Sequence, residues 1–472
     1  MSANTLVMKF GGTSVGTPEA MAQAARIVEE THLRWPRMVV VTSALANVTN
    51  LLLAGAGDAV LGKNANFIQS AHHLRAVHFA ITEALVNDAQ QMSQVRGDLN
   101  RLVDEFTSLC QAISVLGEAT PRALDAVAAL GERMSVRLLA AVLQARGLPA
   151  QFVEATRLIV TDDCFQDAHP DLEATAGCTR QVLKPILDQE QIAVVTGFIA
   201  ANANGVTTTL GRGGSDYTAA LLGAALPAAE VWIWTDVDGV MTTDPRIVPD
   251  ARTIGELSFR EISELAYFGA KVLHPKTIRP VIEAGVGLRV CNTFNPGHPG
   301  TRIVAETHIQ NNGKIKAVTA IPGQRLITIE GRGMLGVPGV AARTFGAVAG
   351  TGTSVPLITQ ASSEQSICFA VPVAATTGVI SALEETFAAE LYRRDIDRIW
   401  ATDEVVIVTA VGAGMRHTPG IAGRIFSTLG GHGVNVIAIA QGSSEVSISL
   451  VVDSKDGKAA VQALHELVVR KS

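Results

Sequence analysis

Between residues 6 and 304 the chain alternates short apolar runs with longer amphipathic ones, and glycines gather at the joints. Residues 6–10, 38–42, 192–196 and 231–235 are continuous, largely β-branched runs without a polar alternation, the pattern of strands buried on both faces. Residues 20–30, 125–145 and 217–226 carry the longer period expected of helices. That order predicts an α/β domain with a mainly parallel sheet sandwiched by helices. In such a domain ligands bind at loops beyond the carboxyl ends of the strands.

A polar stretch, ETHIQNNGK at 306–314, ends this rhythm and marks a boundary. Beyond it two segments resemble each other around a shared Gln-x-Ser-Ser-Glu, beginning at Gln360 and Gln441. Each is preceded by a strand (326–330 and 405–411) and a glycine-bounded helix (340–349 and 421–429). A second pair of strands and a further helix (379–389 and 458–468) complete each copy. The repeated βαββα order predicts two small α+β modules rather than a solenoid. The domains expected are therefore 1–305, 315–395 and 400–472.

Length and charge narrow the possibilities. A chain of 472 residues is too long for one core. Its formal net charge of −6 offers no general attraction to nucleic acid or anionic lipid, so neither is expected as a partner. Cys110, Cys164, Cys178, Cys291 and Cys368 are scattered and show no C-x-x-C spacing, so no metal site is expected and the cysteines read as small buried hydrophobes. The first residues lack a leader pattern and no apolar run is long enough to span a bilayer, so a cytoplasmic location is expected.

Four clusters can carry chemistry. The first strand runs into Lys9-Phe10-Gly11-Gly12-Thr13-Ser14, a lysine beside a glycine turn whose amides could meet an anion. Gly211-Arg212-Gly213-Gly214-Ser215-Asp216 leads into a helix, with Ser215 or Asp216 as ordinary N-cap candidates and Arg212 as a forked donor among glycines. Trp234-Thr235-Asp236-Val237-Asp238-Gly239 opens a carboxylate-rich loop that ends at Thr243-Asp244-Pro245-Arg246. Phe268-Gly269-Ala270-Lys271 adds a second lysine after a glycine. Each alone is an ordinary turn. Together, two lysines and two arginines among glycines at the ends of one sheet suit phosphoryl transfer, where the protein positions reactants and neutralises charge. No G-x-G-x-x-G follows the first strand, and no H-E-x-x-H occurs.

With these residues in view, the sequence resembles the aspartate kinases of the amino-acid-kinase superfamily. The motifs are KFGGTSV at 9–15, GERMS at 131–135, TLGRGGSDY at 209–217, WTDVDG at 234–239, TDPR at 243–246 and FGAKVLHP at 268–275. The resemblance implies an amino-acid-kinase fold followed by paired ACT modules. It also implies transfer of phosphate from ATP, with Mg²⁺, to the side-chain carboxylate of L-aspartate, the entry step to lysine, threonine and methionine. Carried over, Lys9 and Asp216 lie at the reacting phosphoryl group, and Ser43, Thr49, Glu132, Arg212 and Ser215 hold aspartate. Lys9, Gly11, Gly12, Ser14, Thr235, Asp236, Met241, Arg246 and Lys271 are the implied ATP contacts. Met241 stands where the family commonly has a tyrosine, offering a thioether in place of a ring and hydroxyl. Gln360 and Gln441 are the implied effector contacts. Their pattern resembles the threonine-inhibited subgroup, which favours threonine over lysine as effector. ACT modules of this kind commonly pair, implying a homodimer or higher homo-oligomer.

Overall fold

The computed structural model describes residues 5–269, 273, 275–305, 314–334, 337–360, 365–415, 418–442 and 446–469. They fall into two compact units. The first comprises Met1–Val240, Gly255–Phe259 and Val272–Glu306, and the second Met241–Ile254, Arg260–Lys271 and Thr307–Ser472.

The first unit is built on an eight-stranded sheet. Its order is Ala150–Val153, Ile192–Thr196, Arg37–Thr42, Thr5–Phe10, Glu230–Thr235, Gly287–Asn292, Thr301–Val304, Glu256–Ser258. Every neighbouring pair is parallel except Gly287–Asn292 against Thr301–Val304. The four strands expected from continuous apolar runs are all present. Thr5–Phe10 and Ile192–Thr196 are buried throughout, because helices cover both faces and leave no reason to alternate.

Leu6, Met8 and Phe10 enter a core shared with helices Pro18–His32 and Pro121–Ala145. Pro121–Ala145 has its start set by Thr120, which accepts from the Ala123 amide, followed by proline in the first turn. Three long helices, Val48–Val60, Asn64–Leu85 and Ala89–Leu116, extend the same core. No helix among the described residues is long and apolar enough to cross a membrane.

The second unit carries both repeats on one seven-stranded sheet. The long strand Ala317–Glu330 serves two sets of neighbours. Its first part pairs with Val405–Val411 through Ala317–Ile321, and its last part with Ser366–Pro372 and Arg398–Ala401. The second repeat therefore takes a strand from ahead of the first, which a linear reading of two successive modules does not anticipate.

Two stretches inside the span read as catalytic, 241–254 and 260–269, also pack into this second unit. Glu261 is fully buried, taking the Lys316 ammonium at 2.9 Å and the Ala413 amide at 2.8 Å. The Thr242 hydroxyl lies 2.9 Å from His465 Nε2, and Ile247 and Val248 pack against the core around Val408 and Leu450. Apolar periodicity shows that such residues are buried, but not which sheet buries them.

Candidate functional site

The first strand alternates faces, so Lys9 points away from the Phe10 core toward helix Gly214–Ala225. That helix begins one turn earlier than the sequence pattern implies. Gly213, at φ +74°, is its N-cap, which places Ser215 and Asp216 inside the first turn rather than at the cap. Gly211 also sits at positive φ (+70°), a conformation costly for a residue with a Cβ, so the glycines let the chain turn sharply into the helix. Lys9 Nζ consequently stands 2.5 Å from Asp216 Oδ1, and no other donor among the described residues reaches that oxygen.

Helix Pro121–Ala145 delivers Glu132 from the other side. Glu132 is 3 % exposed; Oε1 accepts the Ala44 amide at 3.2 Å, and Oε2 has no hydrogen-bond partner among the described residues. Burial pushes this carboxyl up from 4.5 to about 8. Gly131 makes the approach possible, since a Cβ there would come within 2.8 Å of the Ala44 side chain. Ser43 and Thr49 flank the same space. The result is an open cavity of about 380 Å³ lined by Lys9, Gly12, Ser43, Thr49, Glu132, Ser215 and Asp216, among others. Six of the seven residues assigned to catalysis or substrate by resemblance thus share one cavity.

Arg212 is the exception. It is exposed and is not part of the lining, although Gly211 and Gly213 on either side are.

The positions that the resemblance assigns to ATP are a separate set. The turn after the first strand does not leave its donors open: the Gly11 amide goes to the Trp234 carbonyl at 3.2 Å and the Ser14 amide to the Gly11 carbonyl at 3.0 Å. The Ser14 hydroxyl is buried against Thr293 Oγ1 at 2.7 Å. The chain winds directly into the helical turn Gly12–Val15, which consumes donors that an open loop would present. Of the positions assigned to ATP, Lys9 and Gly12 line the cavity. Thr235 donates to the exposed Asp236 at 3.2 Å. Met241 and Arg246 belong to the second unit. There Arg246 forks onto Asp244 at 2.6–3.1 Å, and Met241 Sδ accepts from Thr253 at 3.6 Å. Lys271 lies outside the described residues.

Several cavity residues carried no assigned role in the sequence. Asn47 and Phe198 line it at positive φ (65° and 64°), and Asn50 joins them. Asparagine tolerates that conformation, so Asn47 was legible in principle; phenylalanine gives no such signal. Asp125, 1 % exposed, accepts from the Gln166 amide, the Thr209 amide and the Thr209 hydroxyl at 2.8–3.0 Å. It anchors the start of the glycine loop that leads to Asp216.

Gln360 and Gln441 line two further cavities in the second unit, of about 340 and 380 Å³. Met334, Pro338, Gly339, Val340 and Gln360 of one correspond to Met415, Pro419, Gly420, Ile421 and Gln441 of the other, each pair 81 positions apart (441 − 360 = 81). Each cavity meets a helix N-terminus capped by a left-handed glycine, Gly339 or Gly420.

The raised Glu132 carboxyl has a consequence for stability. Its proton is held more tightly in the folded chain than in the unfolded one, so its contribution is full below pH 4.5 and is lost as pH rises toward about 8. Glu132→Gln should flatten the fall in unfolding free energy between pH 5 and pH 8, read by urea denaturation at both pH values. An unchanged slope would rule out Glu132 as its source.

Comparison with known proteins accords with this architecture. Residues 4–292 match the amino acid kinase family and residues 327–387 and 408–467 match an ACT domain. The chain belongs to the amino acid kinase family. Within that family its relatives are aspartokinases. It is 37% identical over 469 residues to a bifunctional aspartokinase/homoserine dehydrogenase of Haemophilus influenzae, covering 98% of this chain and 56% of that protein. It is 34% identical to lysine-sensitive aspartokinase 3 of Escherichia coli, covering 98% of each. A crystal structure of E. coli aspartokinase III in complex with aspartate and ADP superposes with a TM-score of 0.81 at 33% identity, covering 99% of this chain and 100% of that one. The chain spans about half the length of the bifunctional relatives it matches.

Proposed function

We propose that the chain is an aspartate kinase, transferring the terminal phosphoryl group of ATP to the side-chain carboxylate of L-aspartate, with feedback inhibition through its ACT modules. The observation that carries this reading is the cavity joining an ion-paired lysine to a buried carboxylate with one unpartnered oxygen, in a chain similar to an enzyme that binds aspartate and ADP.

The chemistry follows from charge. The Glu132 carboxylate would receive the substrate's α-ammonium, the only strong cation on the molecule, and that pairing offsets the cost of ionising a buried acid. Ser43, Thr49 and Ser215 supply hydroxyls to carboxylate oxygens. Arg212, between two lining glycines, would fork onto the α-carboxylate after its side chain turns inward. The attacking carboxylate is already ionised at neutral pH and needs no general base. Lys9 stabilises charge on the moving phosphoryl group, and Asp216 holds the ammonium in place until the phosphates arrive.

No group of three or more His, Cys, Asp or Glu among the described residues forms a metal cage. Mg²⁺ commonly keeps its waters and rests on substrate phosphates and one or two carboxylates, so these residues fit an ion carried in with the nucleotide. When bound, that ion would neutralise phosphate charge.

Gln360 and Gln441, in equivalent cavities beside helix N-termini, support binding of an amino-acid effector whose carboxylate meets the helix amides and whose polar side chain meets the glutamine amide. A neutral glutamine partner suits threonine better than lysine. Exposed Ile358, Ile437 and Ile439 support pairing of two copies through these modules. The five unbridged cysteines support a reducing, cytosolic setting.

A coupled ADP-release assay tests the whole reading. Turnover is expected with aspartate and not with glutamate, falling in millimolar threonine while equal lysine has less effect. Turnover with glutamate alone would overturn the substrate, and indifference to threonine would overturn the effector.

A further inference from the structure

A second cavity in the first unit, of about 220 Å³, lies on the sheet face opposite Lys9. Trp234 is the strand neighbour of Phe10, stacked on it with ring centroids 5.9 Å apart, so it shares the Phe10 face. Arg289 and Trp232 are register partners on the same face, with the guanidinium 5.5 Å from the Trp232 ring centroid. Trp35 meets Trp232 edge-on at 6.3 Å, and Pro296 and His298 complete the wall.

The polar groups of this wall are mostly donors. Trp234 is 4 % exposed and its indole N–H has no acceptor among the described residues. Arg289 Nε is buried without a hydrogen bond, its nearest carboxylate being Glu230 at 3.8 Å. His298 Nδ1 accepts the Gly300 amide at 3.1 Å, which fixes the ring proton on Nε2 and makes that nitrogen a donor too. Arg34 adds a further cation to the lining. Glu30 is the one carboxylate in the lining, exposed and facing Arg26 at 4.0 Å, and Glu230 beside Arg289 accepts the Trp232 indole N–H. A buried indole N–H left without an acceptor costs free energy that a bound acceptor would recover.

We propose that this cavity is a binding site for a small aromatic carboxylate, its oxygens taking the Trp234 indole N–H and the Arg289 guanidinium and its ring lying among Trp35, Trp232 and Pro296. The donor set calls for an anion, and the aromatic wall calls for a flat apolar body. The cavity falls below the roughly 300–1,000 Å³ of drug-sized sites, which limits the occupant to a single ring. It stands apart from the proposed kinase reaction in both place and chemistry. It can still be felt there, because the Trp234 carbonyl receives the Gly11 amide on the Lys9 turn.

Three of the four tryptophans, Trp35, Trp232 and Trp234, line the cavity, so intrinsic fluorescence reports on it. Titration of the whole chain with benzoate should give saturable quenching, with benzyl alcohol and inorganic phosphate at the same concentrations giving none. Trp234→Phe keeps an aromatic ring against Phe10 and removes the N–H together with the second ring of the indole; it should weaken benzoate at least tenfold, about the effect of one hydrogen bond to a charged group. Arg289→Gln, followed by calorimetry, provides an independent second variant and should weaken it at least as much. Benzoate binding should persist at saturating ATP and aspartate. Non-saturable quenching, equal binding of phosphate, unchanged affinity in both variants or displacement by ATP would each overturn the proposal.

Discussion

Lys9→Met is expected to lower kcat for aspartate phosphorylation by about two to three orders of magnitude, the loss seen when one preorganised donor to a developing anion is removed. The substitution keeps the length and apolar stem of the side chain and removes the ammonium that stands 2.5 Å from Asp216. Lys9 is 9 % exposed on a central strand, so methionine should pack there without disturbing the sheet. Because the role proposed for the ammonium is on the moving phosphoryl group, the KM for aspartate should change far less than kcat. Initial-rate kinetics at varied aspartate separate the two. A variant with near-normal kcat would remove Lys9 from the reaction, and effector binding that survives in an inactive variant would show the second unit to be intact.

Asp125→Ala should have the second largest effect, on stability and activity together. It strips the acceptor from two backbone amides, Gln166 and Thr209, and from the Thr209 hydroxyl, all at a site 1 % exposed. Each buried donor left without a partner costs about 1–3 kcal/mol, so a loss of about 3–5 kcal/mol is expected in denaturant unfolding. The loop entering at Thr209 carries Ser215 and Asp216, so kcat/KM should fall beyond what the unfolded fraction explains. Asp125→Asn separates the acceptor from the charge: its oxygen can still take both amides, as Oδ2 does, while its NH2 donates to the Thr209 hydroxyl, so it should lose far less stability than Asp125→Ala. An Asp125→Asn as unstable as Asp125→Ala would argue against these hydrogen bonds as the anchor.

Asp125 also shows where sequence reading stops. It lies at the start of the 125–145 helical pattern and looks like an ordinary first-turn acid. Its partners are 41 and 84 positions away, a separation on which local pattern is silent. Glu132 and Lys9 were accessible through motif resemblance, yet the raised carboxyl of Glu132 comes from the helix and loop packed around it, not from its neighbours in sequence. Arg212 was chosen for its chemistry, correctly seen to lie among glycines, but an exposed side chain in a glycine turn has no packing to fix its direction.

The sequence by itself determined the buried strands, the glycine-rich strand ends, the repeat of 81 positions and the family. These are written in nearest-neighbour terms: runs of β-branched residues, residues without a Cβ, and recurrence. The tertiary structure decided which of those ends meet around one cavity and that the first-strand turn spends its donors internally. It also decided that one long strand serves both repeats, while residues 241–254 and 260–269 join the second unit. The physical reason is that burial and hydrogen bonding are satisfied by whatever surface arrives in space, and a residue's own pattern records that it needs a partner without recording which one.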